Sequence, residues 1–510
     1  MLSPCTAVAA LVNTSVEHGF GRAAQALTGG CASINISVDG LRRMRYTGPA
    51  GEALAGLLRA LGVDASEADS TLWLEGEPPP LATPHRVALA GALALIAQGA
   101  AVAALWEHRQ GAPQEVRLAA SDAVFALNPV PYLRRNGHTG LDVDQLSPPC
   151  AGHYRTREGR LCYLTAPYPG LLEDTLRLLG IPDDRDATAA AVAGWDGEDL
   201  ERAFIDAGVA GTLVRSAAEW RAHPQGKLSA DRPVVEIERI GDARPAPLPP
   251  AARPLAGIRV ADMTHVFAGP MTSRSLAEQG ADVLHVGPVQ PRLLDPVGMT
   301  IATGFGKRSA IIDFAAGGAP VLAGLLREAD VFVQSWRPGT LRARGFGPQQ
   351  VAALRPGIIY VSVSCYGPSG PWAGRAGFDP LAAASTGMTD TETRLGSHLH
   401  TPPGMINDHI AGIVGAAAVT SALLRRAVEG GSWHIKIALT QIASWVQGLG
   451  LGPAAGPDGP GAGQPRLERM ESPFGALEYV VPALRYSVTP ARYDRPPVPV
   501  GSSRPGWLRP

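Results

Sequence analysis

Cysteine is scarce in this chain, and the few cysteines lie far apart. Cys5, Cys31, Cys150, Cys162 and Cys365 form no Cys-x-x-Cys pair and no Cys/His cluster at zinc spacing. The pattern predicts reduced thiols and no bound metal. An excess of charge is also missing, because 45 Lys and Arg face 46 Asp and Glu. Without a broad positive field, neither nucleic acid nor an anionic membrane is expected as a partner.

Several motifs of common enzyme classes are absent. The sequence contains no G-x-S-x-G elbow, no P-loop and no H-E-x-x-H, so serine hydrolases, P-loop NTPases and zincins lack motif support. No G-x-G-x-x-G follows the first predicted strand of the α/β region. NAD and FAD therefore lose support as cofactors.

A secretory leader is not indicated, since the residues after Met1 lack a basic region and a cleavage site. We expect a cytoplasmic protein. One uncharged stretch, Val87 to Trp106, is long enough to span a bilayer. Its Ala and Gly content and the central Gln98 favour a helix buried between neighbouring helices.

The length of 510 residues suggests two or three domains. A proline-dense stretch between Ile240 and Leu255 is typical of a semi-rigid spacer. A second stretch, Gly452 to Gln464, is rich in Gly and Pro. The predicted parts are listed here in chain order: 1–242, a linker at 243–254, 255–447, and a C-terminal tail at 448–510.

After the linker, apolar strand-like and helix-like segments alternate. GIRVADM, ADVLHV, SAIIDF, DVFVQS and GIIYVSVS are rich in β-branched residues, and helical patterns separate them. Continuous apolar runs of this kind suit strands that are covered on both faces. The predicted fold class is α/β, with a doubly wound parallel (Rossmann-like) sheet.

The sequence also contains an internal echo. The segment from Ala97 to Leu127 parallels that from Val414 to Val446, each with a small-residue helix, a charged glycine turn, a strand and another helix. Two copies of one supersecondary unit are expected. Only the later copy is preceded by a carboxylate, Asp408, where the earlier one has Arg86 and the apolar Val87, Ala88 and Leu89.

Three residues are candidates for chemistry. Asp408 precedes a helix predicted to begin near Ile410, where it either caps the helix or serves as an ionised functional carboxylate beside backbone N–H groups. Asp379 either supports a site or caps its own following helix. His265 follows the first strand of the sheet, where open α/β folds bind ligands, although a packed histidine is an equal reading.

Two basic loops suggest an anionic ligand. Lys307 and Arg308 adjoin a strand, and Arg337 begins a loop that also holds Arg342 and Arg344. Such groups suit a phosphate, while solvated turns are the alternative. From these residues alone, the sequence indicates an α/β enzyme that binds an anionic, phosphorylated ligand.

An ordered set of segments resembles the class III CoA-transferases, also called the CaiB/BaiF or formyl-CoA transferase family. The set runs from PLAGIRVADMTHVFAGP through GKRSAIIDF, ADVFVQSWRPGTL, GIIYVSVSCYGPSGPWAGRAGFD and PPGMINDHIAGIVGAAAV to HIKIAL. Each motif is weak alone, but their order over about two hundred residues is specific.

The resemblance implies that Asp408 is a covalent nucleophile. An ionised aspartate would attack an acyl-CoA thioester and form an aspartyl-CoA thioester, from which a carboxylic acid takes over the CoA. Coenzyme A and acyl-CoA would thus be substrates, with no tightly bound cofactor. From its ordinary pKa of about 3.9, the aspartate is expected to be ionised at neutral pH.

The resemblance also assigns further site residues. It places His265, Val266, Phe267 and Ala268 at the CoA edge of the site. Lys307, Arg308 and the arginine loop are expected near the nucleotide and its phosphates. The chain departs from the family pattern at His285-Val286-Gly287-Pro288, and at Ala343, which stands between Arg342 and Arg344.

A racemase branch of the same fold offers another reaction. The resemblance implies that racemases carry a histidine where this chain has Phe378, next to Asp379, and a phenyl ring cannot transfer a proton. A non-catalytic CoA-binding protein is a third reading, motivated by the altered CoA loops.

The first half resembles the family out of order. HYRTREGRLCYL, the helix-like LLEDTLRLLGI and PVVEIERIGD look like the family's smaller α+β domain, which here precedes the large-domain motifs. The chain is therefore predicted to consist of two complementary incomplete copies. Because family members form interlocked dimers, the resemblance implies a homodimer.

Overall fold

The structure is a computed structural model that describes residues 34–37, 49–63, 70–139, 147–287, 289, 295–396, 404–455 and 463–508. Several sequence features fall outside these ranges. They are Cys5, Cys31, Pro288, residues 402–403 of the PPG turn and residues 456–462 of the Gly/Pro-rich stretch.

The first region centres on one long apolar helix. In chain order its elements are β1 (Ile34–Ser37), α1 (Pro49–Leu61), β2 (Thr71–Glu75), α2 (Val87–Gln110), β3 (Glu115–Ala119), α3 (Ala120–Leu127) and β4 (Arg134–Arg135). Helix α2 contains the uncharged stretch that could span a bilayer, and 89% of its most apolar window is buried inside the protein. The expectation of a buried core helix is confirmed.

A smaller α+β unit follows. Its elements are β5 (Gly152–Arg155), β6 (Leu161–Leu164), α4 (Pro169–Leu179), α5 (Arg185–Ala193), α6 (Gly197–Ala207), β7 (Gly211–Leu213), α7 (Ala217–Ala222) and α8 (Pro224–Ala230). The three strands form an antiparallel sheet over a separate hydrophobic core that includes Leu164, Leu200 and Phe204. We call this unit the small domain.

The largest sheet has seven strands in the order β11-β10-β9-β12-β13-β14-β8. Its elements are β8 (Glu236–Gly241), β9 (Arg259–Met263), α9 (Ala268–Ala277), β10 (Asp282–Gly287), α10 (Val297–Gly304), β11 (Lys307–Ile311), α11 (Ala319–Glu328), β12 (Val331–Gln334), α12 (Thr340–Ala343), α13 (Pro348–Leu354), β13 (Ile359–Ser364), α14 (Asp379–Thr386), α15 (Met388–Arg394), α16 (Ile406–Glu429), β14 (Ser432–Ala438) and α17 (Leu439–Gly448).

The direction in which the chain adds strands to this sheet reverses at β9. All neighbouring strands are parallel except β14 and β8. From β9 the chain builds β10 and β11 on one side, then returns to build β12, β13 and β14 on the other. The predicted doubly wound α/β sheet is confirmed, and its switch point lies between β9 and β12.

The C-terminal residues join both halves of the protein. The last strands of the described residues are β15 (Leu467–Ser472), β16 (Gly475–Val480) and β17 (Arg485–Tyr486). Strand β16 pairs with β4, and β17 pairs with β3. Beyond them, the Ser503 backbone N–H donates to the Ser309 carbonyl on edge strand β11 at 2.7 Å. The tail therefore packs on both regions.

The predicted boundary at residue 242 does not separate two independent units. Strand β8 lies before the linker, yet it pairs with β14 as the last strand of the large sheet. The prolines of the linker disfavour a β-strand there. Strand β8 lies before the linker and is free to pair with β14, which comes much later in the sequence.

The sequence echo has a structural counterpart. Helices α2 and α16 are both 24 residues long and pack against each other. Strand β3 lies parallel to β2 and antiparallel to β17, and β14 lies parallel to β13 and antiparallel to β8. Leu89 and Asp408 are the third residues of α2 and α16. The two segments thus contain similar elements with similar pairings, while their being two copies of one unit or of the family stays a prediction.

Candidate active site

A cavity of about 410 Å³ opens at the carboxyl ends of β9, β12 and β13. Its position at the switch point is where open α/β sheets bind ligands. The seven-stranded sheet with its helices and loops, which we call the large domain, supplies most of the walls. The small domain adds Tyr168 and Leu171. Among the residues predicted from the sequence, the cavity is lined by His265, Val266, Ala268, Arg337, Phe378 and Asp408.

Asp408 lies in the first turn of α16, and only 4% of its surface is exposed. The helix begins at Ile406, four residues before the predicted start. The N-cap position belongs to Met405, so the alternative reading of Asp408 as an N-cap is wrong. Its carboxyl group is therefore available to the cavity.

Asp379 fixes the start of α16 from a different helix. Its Oδ2 accepts the Asp408 backbone N–H at 2.9 Å, and its Oδ1 accepts the Asn407 side-chain amide at 2.9 Å. Asp379 is the first residue of α14, and the N-cap of that helix is Phe378, so Asp379 does not cap α14. Of its two readings, the structure favours the supporting one, because the carboxylate satisfies an N–H that α16 leaves open.

The two carboxyl groups perturb each other. Burial raises the pKa of Asp379 to about 6. Burial and the nearby Asp379 charge raise the pKa of Asp408 well above its usual range, while the Ala268 backbone N–H opposes this rise. Two acids this close do not ionise independently. The expectation that Asp408 ionises like an ordinary aspartate is wrong for the free protein.

The loop between β9 and α9 carries the predicted CoA-edge residues. Val266 has a φ of 67°, a left-handed conformation that is unfavourable for a β-branched residue. Phe267 is buried behind the cavity, with its ring 5.2 Å from that of His409. Burial lowers the pKa of His265 to about 4, so this imidazole is neutral near pH 7. Ala268 begins α9 and faces Asp408.

The first basic pair does not reach the cavity as free cations. Lys307 is 3% exposed, and its Nζ donates to Asp262 Oδ2 at 2.9 Å. Arg308 pairs with Asp282 at 3.1 Å and donates to the Gly506 carbonyl at 2.7 Å. Because buried charges require partners, both cations already have structural roles. Their placement argues against the predicted phosphate contacts.

The arginines of the second loop have separate surroundings. Arg337 lines the cavity, and Arg342 lines an adjoining one of about 290 Å³. The Arg344 guanidinium lies 5.8 Å from the ring centres of Phe314 and Trp336. Arg337 and Arg342 are therefore the two that remain placed to meet a phosphate.

Among the residues that sequence reasoning missed are Tyr168 and Asp295, which contact each other beside the loop between β9 and α9. Tyr168 of the small domain lines the cavity, and its hydroxyl donates to Asp295 Oδ1 at 2.5 Å. Burial raises the pKa of Asp295 to about 7. Neither residue lies in a sequence motif that indicates chemistry. Their contact depends on how the small domain packs against the rest of the protein, which the sequence does not show. Pro169, which follows Tyr168, is typical of a helix start and carries no information about a binding site.

Across the described residues, no three His, Cys, Asp or Glu side chains lie together in a way that could hold a metal ion. The site is thus built from a buried carboxyl group, a supporting carboxylate and backbone N–H groups. Phe378, at the position where the resemblance implies a histidine in racemases, lines the same cavity, and its ring carries no group that could transfer a proton.

Together, the doubly wound sheet and this cavity define an α/β protein with a carboxylate at its ligand-binding edge. Residues 255–476 match the model of CoA-transferase family III. This is the family that the motifs resemble, and the match covers the large sheet from β9 onwards.

Named relatives agree with this assignment. The acetyl-coenzyme A transferase nodX of Hypoxylon pulicicidum is 32% identical over 321 residues, which cover 58% of this chain and 53% of the relative. The succinate–glutarate CoA-transferase of Agrobacterium fabrum is 29% identical over 216 residues, covering 39% and 54%. The chain spans about half the length of the curated relatives it matches.

A solved structure is also similar in sequence. The CaiB/BaiF family protein from Brucella suis is 29% identical, with 39% of this chain and 56% of that chain covered, and the TM-score is 0.36.

Proposed function

We propose that this protein transfers coenzyme A from an acyl-CoA thioester to a carboxylic acid, with Asp408 as the covalent nucleophile. The observation that carries the proposal is the position of the Asp408 carboxyl group. It lines the cavity at the switch point, in the first turn of α16 and beside the Ala268 backbone N–H.

The chemistry follows from this placement. An Asp408 oxygen attacks the thioester carbonyl carbon, a C–O bond forms, and the C–S bond breaks to release CoA thiolate. The thiolate attacks the Asp408 carbonyl carbon of the mixed anhydride, and the donor carboxylate leaves. An acceptor carboxylate then attacks the aspartyl-CoA thioester, and the same two exchanges in reverse restore Asp408 and yield the new acyl-CoA.

Backbone groups are placed to help these steps. The first turn of a helix presents unpaired N–H groups and the positive end of its dipole. Ala268 starts α9 and its N–H meets the Asp408 carboxyl, whereas the Asp408 N–H in the first turn of α16 is already bonded to Asp379. Such donors stabilise oxyanions that develop on attacked carbonyl groups.

The negative charge of Asp379 raises the free energy of the ionised form of Asp408. Burial and the neighbouring carboxylate both disfavour the ionised form of Asp408. Acylation converts that carboxylate into a neutral anhydride or thioester, which removes the repulsion. The site therefore favours the covalent forms over the free carboxylate ion.

The substrate classes follow from the same proposal. An acyl-CoA donor and a carboxylic acid acceptor would share the cavity, whose walls include Phe378, Trp336 and Leu439. A cytoplasmic location and a homodimer remain predictions from the sequence.

Intact-protein mass spectrometry tests the mechanism. The full chain is incubated with acetyl-CoA, succinyl-CoA or palmitoyl-CoA and then with hydroxylamine, which traps activated aspartyl groups as hydroxamates. We expect a donor-dependent mass increase that maps to Asp408 and is missing in Asp408→Asn. An unlabelled Asp408 in a protein that still binds CoA would contradict covalent transfer. Deuterium uptake at C2 of a 2-methylacyl-CoA would instead identify a racemase.

A further inference from the structure

Tyr168 brings the small domain into the cavity of the large domain. It immediately precedes α4, which starts with Pro169, so the backbone that carries the ring is held by a rigid element. The residue is only 2% exposed. Its ring lies 6.0 Å from that of His265 and 6.3 Å from that of Phe378.

The Tyr168 hydroxyl starts a short chain of hydrogen bonds. It donates to Asp295 Oδ1 at 2.5 Å. The Asp295 carboxylate also accepts the Val266 backbone N–H, at 3.3 Å to Oδ1 and 3.2 Å to Oδ2. A side chain of the small domain is thereby connected to the backbone of the loop between β9 and α9.

The loop needs such a restraint at this residue. Val266 adopts a φ of 67°, a conformation that is strained for a β-branched residue and persists only where its surroundings hold it. Two residues later, the Ala268 backbone N–H meets the Asp408 carboxyl. If Val266 relaxed to a negative φ, the peptide groups that follow would change direction.

We propose that Tyr168 and Asp295 are positioning residues that hold the Val266–Ala268 loop in the conformation that aims the Ala268 N–H at Asp408. The proposal rests on the proposed function in that Asp408 is the reacting group. It assigns to the small domain a direct influence on the chemistry of the large domain.

Three variants separate this role from a general effect on folding. Tyr168→Phe keeps the ring and removes the hydroxyl. Asp295→Ala removes the acceptor, and Asp295→Asn retains one oxygen that can accept the Val266 N–H. Tyr154→Phe is the matched control, because Tyr154 is a buried tyrosine of the same small domain whose hydroxyl donates to the Cys150 carbonyl at 2.9 Å.

The first readout compares chemistry with binding. We expect Tyr168→Phe and Asp295→Ala to slow labelling of Asp408 about three- to tenfold, the effect of one lost hydrogen bond. The dissociation constant for free CoA, measured by calorimetry, should change less than twofold. Asp295→Asn should be faster than Asp295→Ala, and Tyr154→Phe should match the wild type.

The second readout needs no turnover. Hydrogen exchange of a peptide that covers residues 264–270 should accelerate in Tyr168→Phe and Asp295→Ala and stay unchanged in Tyr154→Phe. Wild-type labelling and exchange in both variants, or equal losses in Tyr154→Phe, would overturn the proposal. Absence of labelling in the wild type would contradict the proposed function, and the exchange data would still decide the role of Tyr168.

Discussion

The proposed nucleophile, Asp408, is placed where its negative charge is unfavourable. Asp408 and Asp379 are both buried, and they are joined through the Asp408 backbone N–H. The burial of two neighbouring acids raises the pKa of each. An ordinary exposed aspartate would be a weaker nucleophile, because water would stabilise its negative charge.

Asp379→Asn tests this electrostatic coupling. The amide oxygen can still accept one of the two hydrogen bonds, but the negative neighbour of Asp408 is removed. The pKa of Asp408 should therefore fall, because the Asp379 charge raises it. Since attack requires the ionised form, the pH at which labelling of Asp408 is half-maximal should move to lower pH. A pH profile that stays in place would contradict the coupling.

At the residue scale, the motifs singled out Asp408, and the structure places its carboxyl group in the wall of the cavity. The sequence did not reveal which side chains surround the candidate residues. The partner of Lys307 could not be predicted, because Asp262 lies 45 positions away in the sequence and approaches Lys307 only in the folded protein. The ionisation of Asp408 was predicted wrongly for the same reason: burial and the approach of Asp379 are tertiary properties.

At the scale of elements, the site depends on the close packing of α9 and α16. A Cβ atom added at Gly412 would lie 2.6 Å from Met271 Cβ and 3.2 Å from the Ala268 carbonyl oxygen. Glycine thus lets the two helices approach until Ala268 meets Asp408. Larger residues would separate the two helices beside the proposed nucleophile, Asp408.

Gly412→Ala should therefore impair both stability and chemistry. Overpacking at such a contact costs about 1–3 kcal/mol, and a small displacement of Ala268 should slow labelling of Asp408 by up to about 100-fold. Thermal unfolding and the labelling rate measure the two effects. Gly324→Ala in α11 is the control, because a Cβ atom there would meet nothing within 4 Å. This substitution should stabilise the helix by about 0.5–1 kcal/mol. Wild-type behaviour of Gly412→Ala would show that the helices can move apart freely.

Strands were easier to predict than helix starts. The β-branched runs of β9, β12 and β13 identified a covered parallel sheet because such residues suit strands buried on both faces. The start of α16 was placed too late, since Asn407, Asp408 and His409 look like a polar cap. All three are buried, and Asp379 supplies the acceptor that an N-cap side chain would otherwise provide.

At the scale of the whole molecule, the two halves share their secondary structure. The tail strand β17 completes the sheet of β3, and β8 completes the sheet of β14. Helices α2 and α16 form the contact between the repeated units. Proline density and composition could predict the linker, but they carry no information about which strand crosses it.

Thermal unfolding should therefore follow one cooperative transition. A protein of two independent domains would unfold in two steps, whereas shared strands make each half depend on the other. Differential scanning calorimetry of the full chain should show a single peak with equal calorimetric and van't Hoff enthalpies. Two resolved peaks would mean that the interleaved strands contribute little to stability.

The contact between α2 and α16 has a consequence for how the repeated units meet. Because both helices belong to one polypeptide, their association is intramolecular and obeys no bimolecular equilibrium. Dilution cannot separate them, and their ratio is fixed at one to one. Asp408 is the third residue of α16, and the third residue of α2 is Leu89. At this position, therefore, each pair of repeated units contains one carboxylate.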